Sequence, residues 1–185
     1  MDLHHLRKNG VNITAVVSDG GRGIVKALNR VYPDIPKQRC LVHIQRMALL
    51  WITQNPKTIA GKTLRALCLI INQIRCQKDA EIWTETFLKW DEKHKDFLNE
   101  KSYTFNGKWW YTHKYIRRTR RMIIGALPDM FHYLEIDNLP KDTNKIDGGI
   151  FSDLKEHYRI HRGIPSYKRE RFFYWFLYLK NLKNR

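Results

Sequence analysis

The sequence predicts an α/β protein, mostly helical by residue count, in which a core of parallel strands and flanking helices is interrupted by an all-helical insertion. Three observations predict it. A β-branched run, Val11 to Val17 (VNITAVV), ends abruptly at Ser18-Asp19-Gly20-Gly21 and gives way to helical spacing. A second short apolar run, Arg39 to Ile44 (RCLVHI), again precedes a helix, and this β-α-β-α order favours parallel strands. From Thr58 to about Leu98 the chain has no proline and keeps helical periodicity throughout.

Taken in order, Ile24, Ala27, Leu28 and Val31 recur at helical spacing until Tyr32-Pro33 stops the first helix. The helix after Arg39–Ile44 runs through Leu49, Leu50 and Ile52 and ends before Asn55-Pro56. Leu64, Leu67, Ile70, Ile71 and Ile74 form one stripe, and Trp83, Phe87 and Trp90 another, which fits two antiparallel helices broken near Lys78-Asp79. A loop around Ser102 to Lys108 leads to Trp109-Trp110 and then to a dense basic helix, Lys114 to Arg121 (KYIRRTRR). Its apolar partners are Tyr115, Ile116, Met122, Ile123 and Leu127. Pro128 and Asn138-Leu139-Pro140 mark the next boundary. From Asn144 a glycine-containing lead-in opens a helix with Ile150, Leu154 and Tyr158 on one side, and Tyr167 to Leu182 is a final aromatic helix. The organisation is therefore a first core piece over 1–56, a helical insertion over 57–127 and a return to the core over 128–185.

Composition narrows the function. Of 185 residues, 34 are Lys or Arg and 18 are Asp or Glu, a formal net charge of +16. The chain is 43% hydrophobic and 12% aromatic, enough to fill a packed core, so the charge sits on a folded body. Such an imbalance points to a polyanionic partner, nucleic acid first. Cys40, Cys68 and Cys76 make an odd, sparse set, which reads as reduced and intracellular. Met1 to Gly10 has no signal-peptide pattern, and Phe172 to Leu179 (FFYWFLYL) is far short of the ~20 apolar residues a membrane-spanning helix needs. No membrane segment is expected.

Three places can carry chemistry. Asp19 stands where a strand runs out into glycines; a carboxylate there can approach a metal or phosphate closely, and Ser-Asp-Gly is equally ordinary turn chemistry. Cys40-Leu41-Val42-His43 has the spacing of half a zinc site, yet no second such pair follows at a suitable interval. A buried thiol with a core-bonded histidine is the alternative. Asp147, between Asn144 and Gly148-Gly149, is a second carboxylate beside small residues; alone it reads as an acid favoured near a helix N-terminus.

In combination these positions resemble a known family. The order Ser18-Asp19-Gly20, Pro33, Gln38-Arg39-Cys40-Leu41-Val42-His43, Thr143-Asn144-Lys145-Ile146-Asp147-Gly148-Gly149 and Ile160-His161-Arg162-Gly163-Ile164 resembles the C-terminal part of a Mutator-family (MULE-like) insertion-sequence transposase. The resemblance covers about Thr14 to Leu182. It implies a partial RNase H-like core with a three-carboxylate site, in which Asp19 is the second acid and Asp147 the third, where the family usually has Glu. His43 is entered with the catalytic residues but is read first as support near the site, contacting a phosphate or orienting the scissile group, with direct acid–base catalysis as the alternative; Cys40 and Asn144 support the site. The implied metal is Mg²⁺ or Mn²⁺, bound by Asp19 and Asp147, for phosphodiester hydrolysis and strand transfer. The first acid belongs at the end of an earlier strand; Asp2 has no strand before it, so the expectation is a truncated copy of low activity. The alternatives are an inactive DNA-binding remnant and an RNase H-like nuclease.

The implied partner is double-stranded DNA, as transposon ends and target, with homo-oligomerisation in the complete protein and a prokaryotic, cytoplasmic, nucleoid-associated location. Three basic clusters suit it: Lys114, Arg117, Arg118, Arg120 and Arg121; Arg159 and Arg162 beside His161; and Lys168, Arg169 and Arg171. Each is, taken singly, also an ordinary solvated face.

Overall fold

A computed structural model describes residues 3–183, apart from the side chains of 145–147 and 183. The chain divides into two compact units, Met1–Thr143 and Asn144–Arg185.

The first unit opens with a short helix, α1 (Leu3–Lys8), followed by β1 (Val16–Ser18), α2 (Arg22–Val31), β2 (Lys37–Arg39) and α3 (Leu41–Ile52). β1 and β2 pair in parallel with Val16 opposite Lys37 and Ser18 opposite Arg39. The parallel pairing agrees with the β-α-β-α reading, but both strands are shorter and the second lies earlier than expected. Of the Arg39–Ile44 run only Arg39 is strand. Pro36 bounds β2 on one side, and on the other the Cys40 N–H closes the ladder on the Ser18 carbonyl at 2.8 Å before α3 begins. Leu41, Ile44, Ala48 and Ile52 then fall at spacings of three and four, and all four are buried. The run belongs to a helix because its apolar period is helical, although six residues alone do not reveal it.

The helical middle follows. α4 (Ile59–Ile70) is capped by Thr58, whose Oγ1 accepts from Gly61 N–H at 3.1 Å, and a 3₁₀ turn over Ile71–Gln73 leads to α5 (Gln77–Lys93). Trp83 Nε1 donates to the Leu67 carbonyl at 2.9 Å and Trp90 Nε1 to that of Ala60 at 3.1 Å, so α4 and α5 run antiparallel. The break falls at Ile71–Cys76, a few residues before Lys78-Asp79. Trp83, Phe87 and Trp90 stack with centroids 5.6 and 5.9 Å apart, filling a core shared by α3, α4, α5 and α7.

α6 (Lys95–Asn99) leads into a hairpin where a loop was expected: β3 (Lys101–Tyr103) pairs antiparallel with β4 (Trp109–Tyr111). Gly107, at φ +73°, turns the chain at its tip. α7 (Lys114–Ala126) then buries Thr119, Ile123 and Ala126 against the core. Two 3₁₀ turns, Leu127–Asp129 and His132–Leu134, bring the chain back beside β2.

In the second unit a π-helical turn, Lys145–Ile150, runs into α8 (Phe151–Ile160), and α9 (Ser166–Lys183) folds back on it. Tyr158 meets Phe172 and Phe173, His157 meets Phe176, and Asp153 bonds Lys180, whose ammonium holds the Asp153 carboxyl below its usual range. The chain as described is mostly helical, with one small parallel and one small antiparallel sheet.

Candidate functional site

Asp19 lies one residue beyond β1 and Cys40 one residue beyond β2, so both stand at the carboxyl end of the parallel pair. This edge is where α2 and α3 begin, and it is the edge at which open α/β sheets bind ligands. The Asp19 carboxylate is exposed. Its Oδ1 accepts from Gly21 N–H at 2.8 Å, an Asx turn that feeds α2, while Oδ2 has no hydrogen bond among the described residues. The turn chemistry and the exposed carboxylate therefore coexist: one oxygen shapes the turn and the other faces solvent.

Arg39 secures this turn from the neighbouring strand. Its Nη2 donates to the Asp19 carbonyl at 3.0 Å, and its guanidinium lies over Gly20, which adopts φ +79°. Burial lowers the Arg39 pKa, with the carboxylates of Asp129 and Asp19 opposing that shift.

Cys40 is the N-cap residue of α3 and is buried, with Sγ 3.5 Å from Thr143 Oγ1. His43 is three residues on, in the first turn of α3, half-buried and without a hydrogen-bond partner among the described residues. No group of three His, Cys, Asp or Glu side chains able to hold a metal ion occurs among the described residues. The Asp147 side chain lies outside the described residues; its backbone belongs to the π-helical turn, and Asn144 precedes that turn with an exposed side chain.

Two residues of the Gln38–His43 run carry no role of their own in the sequence reading. One is Arg39. The other is Gln38, fully buried in β2, whose Nε2 donates to the carbonyls of Arg39 and Met130, each at 2.7 Å, and whose Oε1 accepts from Tyr133 N–H at 3.1 Å. A buried amide with donors and acceptor all engaged is a clamp, holding the 127–134 segment against the strand that ends at Cys40.

The basic residues divide by partner. Arg117 donates to the Leu98 carbonyl and to Asn99 Oδ1, and its guanidinium stacks 3.4 Å from the Tyr111 ring centroid. Arg120 makes a two-pronged bond to Asp91, which raises its pKa. Arg118 lies 4.0 Å over Trp51, and Lys114, Arg118 and Arg121 are exposed. In the second unit Arg159, Arg162, Lys168, Arg169 and Arg171 are all exposed. Among the described residues no helix is long and apolar enough to cross a membrane.

A family model described as "Transposase, Mutator family" matches residues 2–116, more than half of the chain. No curated protein and no solved structure matches.

Proposed function

The chain belongs to the Mutator family of transposases, and from that premise we propose that Asp19 is one of the carboxylates with which such a protein cuts and rejoins DNA. The observation that carries the reading is the position of Asp19: an exposed acid at the carboxyl end of a parallel strand pair, with one oxygen fixed by its turn and the other open. We read β1, α2, β2 and α3 as a piece of an RNase H-like core, and Asp147 as the companion acid.

Mg²⁺ and Mn²⁺ take hard oxygen ligands, and the Asp19 carboxylate, with one oxygen not engaged in its turn, is one such ligand; Asp147 would supply the other. Bound there, the ion would supply an activated water and charge stabilisation for the leaving oxygen. The protein's own part is positional. The Gly21 N–H and the Arg39 guanidinium fix the Asp19 turn, and the Cys40 N–H ties the end of β2 to Ser18; we assign to His43, in the first turn of α3, the part of contacting a phosphate or carrying a proton. Arg118, Arg121, Lys114 and the second unit's cations neutralise DNA phosphates.

The test is Mn²⁺ titration followed by amide NMR. Line broadening centred on Ser18 to Gly21, abolished in Asp19→Asn with the fold unchanged, is the expected result. Broadening elsewhere, or equal broadening in the variant, overturns the assignment.

A further inference from the structure

The hairpin β3–β4 carries exposed aromatic side chains. In an antiparallel pair, residues directly opposite share a face. Tyr103 opposite Trp109 and Lys101 opposite Tyr111 therefore form one face, and Trp110 lies on the other. Tyr103, Trp109 and Trp110 are exposed, and Phe105, at the tip, is fully exposed at 106%. Burying a large apolar side chain is worth about 1.5–3 kcal/mol, so four exposed rings within the eleven residues from Lys101 to Tyr111 mark a surface made for contact.

Cations are built into the same face. Lys101 Nζ lies 4.2 Å from the Trp109 centroid, and Arg117 covers Tyr111. From Lys101 to Pro128 the chain has no acidic residue, while Lys101, Lys108 and Lys114 lie on or beside the hairpin. Exposed rings interleaved with cations and free of acids match a chain of phosphates bearing flat, unpaired bases, and they repel a cationic protein surface. Paired DNA offers phosphates but hides the faces of its bases.

We infer that the β3–β4 hairpin is a stacking platform for unpaired DNA bases, with Phe105, Tyr103 and Trp109 taking the bases and Lys101 and Lys108 the flanking phosphates. The inference rests on the DNA-acting role proposed above and adds the form of DNA this part of the molecule selects: strands opened or flanking a break.

The experiment uses the full 185-residue chain and two fluorescein-labelled duplexes, one fully paired and one carrying three unpaired adenines, with 2-aminopurine replacing the central adenine in a parallel set. The expected result is binding about tenfold tighter to the unpaired form, within the range for stacking of one or two bases, with quenching of 2-aminopurine. Phe105→Ala, whose ring has no partner to lose, and the double variant Phe105→Ala/Trp109→Ala should erase most of that preference and the quenching, leaving paired-duplex affinity within about twofold. Equal affinity for the two duplexes, an equal fall on both in the variants, or a change of oligomeric state in place of a change in DNA binding would overturn the hairpin assignment alone. Failure to bind either duplex would overturn it together with the DNA-acting role.

Discussion

The Arg39 guanidinium occupies the space a side chain on Gly20 would need: a Cβ there would lie 1.9 Å from Arg39 Cζ. Gly20 also has φ +79°, a conformation glycine adopts freely and alanine does not. Gly20→Ala is therefore expected to destabilise the protein by about 1–3 kcal/mol, part strain and part displacement of Arg39. Urea unfolding checks the size. The double variant Gly20→Ala/Arg39→Ala should lose less than the sum of the single changes, because the clash is shared.

Gln38 makes a second prediction. Gln38→Leu leaves the Met130 carbonyl and the Tyr133 N–H buried without their partner, and a loss of about 2–4 kcal/mol is expected in chemical denaturation. Gln38→Glu separates charge from shape. Its carboxylate would face two carbonyl oxygens in a buried site, raising its folded pKa above the unfolded value of about 4.3. Stability of that variant relative to the parent should fall as pH rises from about 4 toward 8, since the folded state holds its proton longer. A pH-independent difference would contradict the clamp.

The elements most legible in the sequence are those with long periods. Trp83, Phe87 and Trp90 repeat over enough turns to define a stripe and all three are buried; of Leu64, Leu67, Ile70, Ile71 and Ile74 all but Ile70, the exposed last residue of α4, are buried. The short strands are legible only in part: the order of elements gives the parallel pair and β1 falls at the end of the Val11–Val17 run, but the bounds of β2 are not readable. β2 is three residues long, and its one core side chain is a glutamine that is buried only because Met130 and Tyr133, some ninety positions away, supply its partners. The hairpin was obscured by its function-like surface: Trp109 and Trp110 alternate in space but not in polarity, so no polar–apolar period announces a strand. At the candidate site, Asp19 was legible from the glycines beside it, whereas Arg39 was not, because its contact with Gly20 depends on strand pairing.

The cysteines differ in reactivity by position. Burial pushes the Cys68 thiol up to about 12, so it stays protonated through the neutral and mildly alkaline range, and Cys40 is buried at the start of α3. Cys76 is exposed in the link between α4 and α5. A thiol-specific chromogenic disulfide at pH 8 is expected to titrate one cysteine quickly in the native protein and all three in denaturant. Peptide mapping should place the fast label on Cys76. Rapid labelling of Cys68 would contradict the packing of α4.

Neighbouring arginines on α7 should fail in different ways. Arg120 is bound through two nitrogens to Asp91, and the pair is partly screened from solvent, with 38% and 17% of the two side chains exposed. Arg120→Ala leaves Asp91 facing the helix without its partner, and a stability loss of about 1–2 kcal/mol follows from a charge-assisted bond discounted for that exposure. Arg121, one position on, faces solvent. Arg121→Ala should leave the melting temperature unchanged and, if the residue neutralises a DNA phosphate, lower duplex affinity several-fold while reducing the salt slope by about one. Paired measurements on the same two variants separate the roles. A thermal loss in Arg121→Ala, or an unaltered salt slope, would remove this helix face from the DNA-binding surface even with the Arg120–Asp91 bond intact.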